Sequence, residues 1–171
     1  LRRLEDHGYL SRDREVSRGL KLTSESPGLF TPDSIVQIPL LGQIAAGEPL
    51  PVPSSDFSLM ADETIELTRG ILGDPDELYA LRVKGNSMID ALVNDGDIVI
   101  MRPINRAENG EMVAVWLTDR DETTLKYFYH ENGKVRLQPA NPQMKPIIID
   151  NPEQVKVQGK VVLVIRRMEG A

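Results

Sequence analysis

The strongest constraint in the sequence is a rhythm of short apolar segments, each ended by a pair of residues suited to reversing the backbone. Asp95-Gly96, Asn109-Gly110 and Asn132-Gly133 are such pairs. Asx-Gly pairs accept positive φ at low cost and favour tight reversals between strands. They set off predicted strands at Asp97–Met101, Met112–Leu117, Thr123–Tyr129 and Lys134–Leu137, the last two forming a hairpin around Glu131-Asn132-Gly133. Upstream, Ile35-Val36-Gln37-Ile38 reads as a short strand before Pro39, and residues 63–67 as another. Leu78 to Lys84 alternates, with Leu78, Ala80 and Arg82 set against Tyr79, Leu81 and Val83, as a half-buried strand does. A short helical turn is predicted at Ser87–Leu92, and Ile147–Ile149 and Val155–Ile165 complete the set. Many short strands with regular turn signals predict a mainly β, sandwich- or barrel-like body over residues 35–171.

The chain has 171 residues, room for one ordinary domain and a small extra piece. It contains no cysteine, which excludes disulfides, zinc–thiolate sites and a cysteine nucleophile and is compatible with a reducing compartment. No apolar run approaches the roughly 20 residues that span a bilayer, and no signal-peptide pattern opens the chain. Residue 1 is a leucine inside a helix-like stretch, so the sequence is expected to start mid-domain, after a further N-terminal part. Residues 1–9 read as a helix end, with Leu1 and Leu4 on one face and Gly8 as the stop. Tyr9-Leu10 and Leu20-Lys21-Leu22 read as two short strands joined by the polar turn Ser11 to Arg18. A helix end followed by a charged hairpin fits the tail of a winged-helix unit and, equally, a frayed charged terminus. Residues 23–34, rich in Ser, Thr, Pro and Gly, read as a linker.

Charge divides the chain the same way. Residues 1–24 hold six basic residues (Arg2, Arg3, Arg12, Arg14, Arg18, Lys21) and four acidic ones (Glu5, Asp6, Asp13, Glu15), a net +2 that leaves −8 for the rest of a chain of net charge −6. A basic head on an acidic body points to different partners for the two parts and argues against nucleic acid binding by the body.

Three features could carry chemistry. Ser87 follows a predicted strand and a glycine bend in Val83-Lys84-Gly85-Asn86-Ser87-Met88. Such a bend exposes the side chain and can aim backbone N–H groups at a developing oxyanion; it also describes an ordinary turn serine. No triad partner stands out for it. His7 lies in the basic head, His130 sits at a solvent-facing hairpin end, and Ile89 occupies the place of the second glycine of a Gly-x-Ser-x-Gly elbow. Nothing shows metal-ligand spacing. Lys126, in Thr123-Thr124-Leu125-Lys126-Tyr127-Phe128-Tyr129, lies on a strand with apolar residues on both faces. Burial there would disfavour the ammonium and leave a neutral amine able to take a serine proton; a solvent-facing strand lysine is the plain alternative. The third feature is Ile44-Ala45-Ala46-Gly47-Glu48-Pro49. Its small residues would let a backbone enter a narrow cleft, and they suit a flexible loop as well.

The order of these features carries a specific resemblance. The chain is similar to the self-cleaving Ser–Lys peptidase family of SOS repressors and UmuD-like proteins. The matching blocks are Ile38-Pro39-Leu40-Leu41-Gly42-Gln43-Ile44-Ala45-Ala46-Gly47-Glu48-Pro49 and Leu81-Arg82-Val83-Lys84-Gly85-Asn86-Ser87-Met88-Ile89-Asp90. They continue in Asp95-Gly96-Asp97-Ile98-Val99, Asn109-Gly110-Glu111, Leu125-Lys126 and Leu137-Gln138-Pro139-Ala140-Asn141-Pro142. The resemblance spans roughly residues 35–167. It reaches the head, where residues 1–10 resemble the end of a recognition helix with the strand after it, and Ser17-Arg18-Gly19-Leu20-Lys21-Leu22 resembles a wing. That favours a repressor over UmuD-like relatives, which lack a DNA-binding head.

The resemblance implies a signal-peptidase-like β-rich body (35–171) behind the remnant of a winged helix-turn-helix domain (1–22) and a linker (23–34). It implies a cytoplasmic, membrane-free repressor of DNA-damage genes that needs no cofactor and cuts its own Ala46–Gly47 bond. Ser87 would be the nucleophile, Lys126 the general base, and the N–H groups of Asn86 and Ser87 the oxyanion hole. The implied partners are a second copy of the chain through the body, the RecA–single-stranded DNA filament, and operator DNA through the complete head, with Arg2, Arg3, Arg12, Arg14 and Arg18 as remnants of the DNA contact. The rival readings are a UmuD-like polymerase accessory, a non-catalytic DNA-binding dimer and a peptidase acting in trans.

Overall fold

A computed structural model describes residues 10–12, 20–22, 35–44, 63–73 and 77–168. The expected helix end at 1–9, the linker at 23–34, the Ala46–Gly47 bond and Arg2, Arg3, Arg14 and Arg18 lie outside these residues. In the head, β1 (Leu10–Arg12) and β2 (Leu20–Leu22) pair antiparallel, with Leu10 opposite Leu22 and Arg12 opposite Leu20. The first strand therefore runs past Leu10 through Ser11 and Arg12, which the sequence reading had placed in the turn. Polar side chains do not by themselves end a strand, because the ladder is made by the backbone.

The body is one nine-stranded sheet in the order β10-β9-β8-β7-β11-β6-β5-β3-β4. Its members are β3 (Ile35–Ile44), β4 (Glu63–Thr68), β5 (Tyr79–Val83), β6 (Ile98–Arg102), β7 (Met112–Leu117), β8 (Glu122–Glu131), β9 (Lys134–Gln138), β10 (Ile147–Ile149) and β11 (Val155–Ile165). Every neighbouring pair is antiparallel except β3 and β5. The one α-helix among the described residues, α1 (Arg69–Leu72), is a single turn after β4. It buries Leu72 and had no periodicity long enough to be predicted. Among the described residues no helix is long and apolar enough to cross a membrane.

Two strands differ instructively from expectation. β3 does not stop before Pro39; it continues to Ile44. Pro39 pairs with Thr64 of β4, and the β5 ladder begins only at the next residue, where Leu40 faces Ala80. The missing N–H falls where one neighbour gives way to two, a position a proline tolerates. β5 is not half-buried. Tyr79, Leu81 and Val83 enter one apolar cluster and Ala80 another on the opposite face, so only Arg82 is partly exposed.

The core explains how distant strands meet. One cluster unites Leu81 and Val83 of β5 with Ala114 of β7 and Leu125 of β8, together with Ile44 of β3 and Met88. Three strands separate β5 from β8 in the sheet order, so the sheet curls over this cluster. A second cluster (Val113, Val115, Leu117, Phe128, Leu137) fills the far face of the β7–β10 half, and a third (Ile38, Leu72, Ala80, Ile98, Ile100) the far face of the other half. β11 crosses between the halves, with a bulge between Val157 and Gly159. A Cβ at Gly159 would stand 2.5 Å from Tyr79 Oη and 2.9 Å from the Arg102 carbonyl oxygen, so only glycine lets β11 lie this close.

Candidate active site

Ser87 sits in the bend that follows β5. The bend is built from a positive-φ glycine and several fixed bonds. Gly85 has φ +97°, a region open chiefly to glycine. Its N–H donates to Asp95 Oδ1 at 2.6 Å, Val83 N–H donates to Asp97 O at 2.7 Å, and Gly96 N–H donates to Val83 O at 2.9 Å. The Asp95-Gly96 turn thus braces the Ser87 bend as well as starting β6. Met88, 2% exposed, drops into the core and anchors the chain beyond the serine. The expected helical turn is shorter than predicted, a 3-10 turn at Ile89–Ala91 that closes on Leu92 in the left-handed region.

Lys126 comes from the middle of β8, opposite Val113 of β7. It is 7% exposed. Its Nζ donates to Thr124 Oγ1 at 2.8 Å, to the Leu125 carbonyl at 2.9 Å and to Ser87 Oγ at 2.9 Å. Burial pulls its pKa down from 10.5 to about 8, opposed by the negative charge of Glu122. Desolvation penalises the ammonium more than the nearby carboxylate rewards it. A neutral lysine keeps two N–H bonds and gains a lone pair. With the two N–H groups on Leu125 O and Thr124 Oγ1, the lone pair faces Ser87, whose hydroxyl then donates to it.

The two side chains share a cleft of about 410 Å³ lined by Ile44, Asn86, Met88, Glu122, Pro139 and Met144 among others. A larger groove of about 650 Å³, lined by Trp116 and Lys156 among others, shares no residue with it. Lys84 N–H donates to Ile44 O at 3.1 Å, which ties the end of β3 to the start of the Ser87 bend. The N–H groups of Asn86, Ser87 and Met88 have no hydrogen-bond partner among the described residues. His130 is exposed, and its contacts to Asn109 are made through its backbone. Of the arginines named for DNA contact, only Arg12 falls in a described segment, in β1.

Sequence reasoning did not single out Thr124, Glu122 or Asn141, and it read Asp95 only as a turn residue. Thr124 and Glu122 precede the lysine on its own strand, at positions i−2 and i−4 on the same face, so alternation could have found them. Asn141 lies in the Leu137 to Pro142 block that resembles the family, with nothing in it to show what its side chain holds.

A curled β-sheet that brings a serine against a buried lysine defines a class, the serine peptidases that use lysine in place of histidine. Residues 39–162 match the Peptidase S24-like family. The chain is 50% identical to a LexA repressor of Roseiflexus sp., over 98% of this chain and 77% of that one. It is 45% identical to a LexA repressor of Herpetosiphon aurantiacus, over 98% and 78%, and 39% identical to one of Bacillus cytotoxicus, over 97% and 76%. The chain belongs to the LexA repressor family, whose β-rich body is a self-cleaving serine peptidase.

Proposed function

We propose that this SOS-response repressor inactivates itself by using Ser87 as nucleophile and Lys126 as general base to cut its own Ala46–Gly47 bond. The observation that carries the reading is the 2.9 Å approach of Lys126 Nζ to Ser87 Oγ inside a buried, three-acceptor nest. Neutral Lys126 takes the hydroxyl proton as Ser87 Oγ bonds to the Ala46 carbonyl carbon. The tetrahedral oxyanion rests on the N–H groups of Asn86 and Ser87. Lys126 then gives the proton to the departing Gly47 amine. Water, deprotonated by the same lysine, releases Ala46 as a carboxylate and restores Ser87.

Reach supports the assignment of the bond. Ile44 lines the cleft, and Ala46 is two residues further on. Two extended residues span about 7 Å, so the Ala46 carbonyl stays within about that distance of a residue that lines the same cleft as Ser87. Because the substrate is tethered, a weak catalytic pair suffices. The same tether calls for control. A RecA–single-stranded DNA filament that binds the cut-ready form more tightly would supply it, by shifting the population toward that form. Residues 1–22 are the end of a winged-helix head, 23–34 a linker, and 35–171 the peptidase and dimer-forming body. The cut parts a DNA-reading head from the body that pairs two heads on one operator. The repressor matches run over 98% of the chain, head included, which favours this reading over a UmuD-like accessory.

Incubated over a rising pH series without RecA, the purified chain should split, with mass spectrometry placing the break at Ala46–Gly47. Ser87→Ala and Lys126→Ala should each slow the cut at least 10³-fold, to background. A chain that stays whole at pH 10, or a break elsewhere, would overturn the proposal.

A further inference from the structure

The Ser87 bend is also held from a loop fifty-five residues away in sequence. Asn141, buried at 8% exposure between β9 and β10, donates from Nδ2 to the Asn86 carbonyl at 2.9 Å. Its Oδ1 accepts the Gln143 N–H at 2.9 Å, and its own carbonyl accepts the Met144 N–H at 3.1 Å. The amide orientation is therefore settled by its neighbours, since a flip would set N–H against N–H and oxygen against oxygen. One residue earlier, the Ala140 carbonyl accepts the Asp90 N–H at 2.8 Å. The loop grips the bend on both sides of Ser87, at Asn86 and at Asp90. Pro139 and Met144 of the same loop line the cleft.

We propose that Asn141 is a positioning residue that aims the Ser87 N–H at the oxyanion. The inference rests on the reading of Ser87 as nucleophile. In a planar trans peptide the C=O and N–H point in opposite directions. The Asn86–Ser87 bond is one such unit, as the chain has no cis peptide among the described residues. Holding the Asn86 oxygen on Asn141 turns the Ser87 N–H to the opposite edge, where it has no partner among the described residues. Without that hold the Asn86 oxygen keeps only the longer bond, 3.3 Å, from the Ile89 N–H of its own turn. The unit can then turn by coupled rotation about Asn86 ψ and Ser87 φ, the two soft dihedrals that flank it. That rotation would swing the Asn86 carbonyl oxygen toward the place of the donor, and a carbonyl there repels the charge that Ser87 attack creates.

The test is the pH–rate profile of RecA-free self-cleavage in the full chain for Asn141→Asp and Asn141→Leu. Asp keeps the shape and the acceptor for Gln143 but has no donor for Asn86. Leu removes donor and charge together. Each folded variant should lose about 100-fold in its high-pH plateau, as when one oxyanion donor is removed. The Leu variant should keep the wild-type midpoint, because the protonation of Lys126 is untouched. A plateau within threefold of wild type in either folded variant would overturn the proposal. So would a loss due wholly to a displaced midpoint, which would place the effect on Lys126. Should one variant fail to melt cooperatively, the other decides. Ser87→Ala and Lys126→Ala run alongside. Cleavage persisting in these would refute the Ser–Lys reading itself, whereas their silence with active Asn141 variants would refute only the role of Asn141.

Discussion

Ser87 and Lys126 meet across 2.9 Å, yet their two sides of the cleft are held by different physics. The serine side is held by direction. A glycine at φ +97°, the Asp95 carboxylate and the Asn141 amide each fix how one peptide unit points. The lysine side is held by solvation. Strand β8 places Lys126 where little water reaches it, and its proton affinity falls as a result. An error on the first side spoils aim and an error on the second spoils protonation state. The two kinds of error separate in one experiment, since aim sets the plateau of a pH–rate profile and protonation sets its midpoint.

The largest effect concerns stability on the lysine side. With its pKa near 8 in the fold and about 10.4 unfolded, Lys126 binds more proton in the unfolded chain between those values. Stability therefore rises with pH across that window, by about 2–3 kcal/mol from this group. In a non-cutting Ser87→Ala background, Lys126→Met should remove that rise and be the more stable protein at pH 7 by a similar amount. Denaturant titrations at pH 7 and pH 10 measure both, and parallel pH trends in the two proteins would show that the lysine is not held by desolvation.

On the serine side, Gly85→Ala forces a side chain into a positive-φ position with nothing close enough to clash. The strain should come to about 1–2 kcal/mol. Self-cleavage should lose about tenfold in the plateau and keep its midpoint. A shifted midpoint with an intact plateau would erase the distinction between the two sides. The smallest effect should come from Glu122→Gln. Glu122 raises the pKa of Lys126, so its neutral replacement moves the midpoint downward and makes cleavage at pH 7 faster by about two- to threefold. A rate at pH 7 that falls instead would show that Glu122 does more than oppose desolvation.

Most of the strand pattern was legible because turn chemistry is local. Asn132 and Gly133 take φ +52° and +74°, the double-positive turn that an Asn-Gly pair favours, and β8 and β9 follow from it. Apolar residues on both faces of its strand allowed the burial of Lys126 but fitted a solvent-facing lysine as well, and the structure decides for burial. What escaped depends on partners far off in the chain. β5 alternates like a half-buried strand, and its second face is covered by residues distant in sequence, Ile38, Leu72 and Ile100 among them. Pro39 reads as a stop until β4 and β5 are seen to change over beside it. The Asn141 clamp has no local mark at all, because an asparagine in a loop looks the same whether it meets water or a carbonyl.

One consequence follows from the place of β3. A cut after Ala46 would assign residues 35–44 to the fragment that carries the head, although this strand lies between β5 and β4 in the body's sheet. Ile38 is fully buried there and Ile44 is 3% exposed. Breaking the peptide bond severs none of these ladders. The two products would leave the reaction nested, and their parting would wait on the sheet giving up an interior strand. Severing and letting go would then be separate events with separate clocks, the first set by the proposed Ser–Lys chemistry and the second by how tightly the sheet keeps its next-to-edge strand.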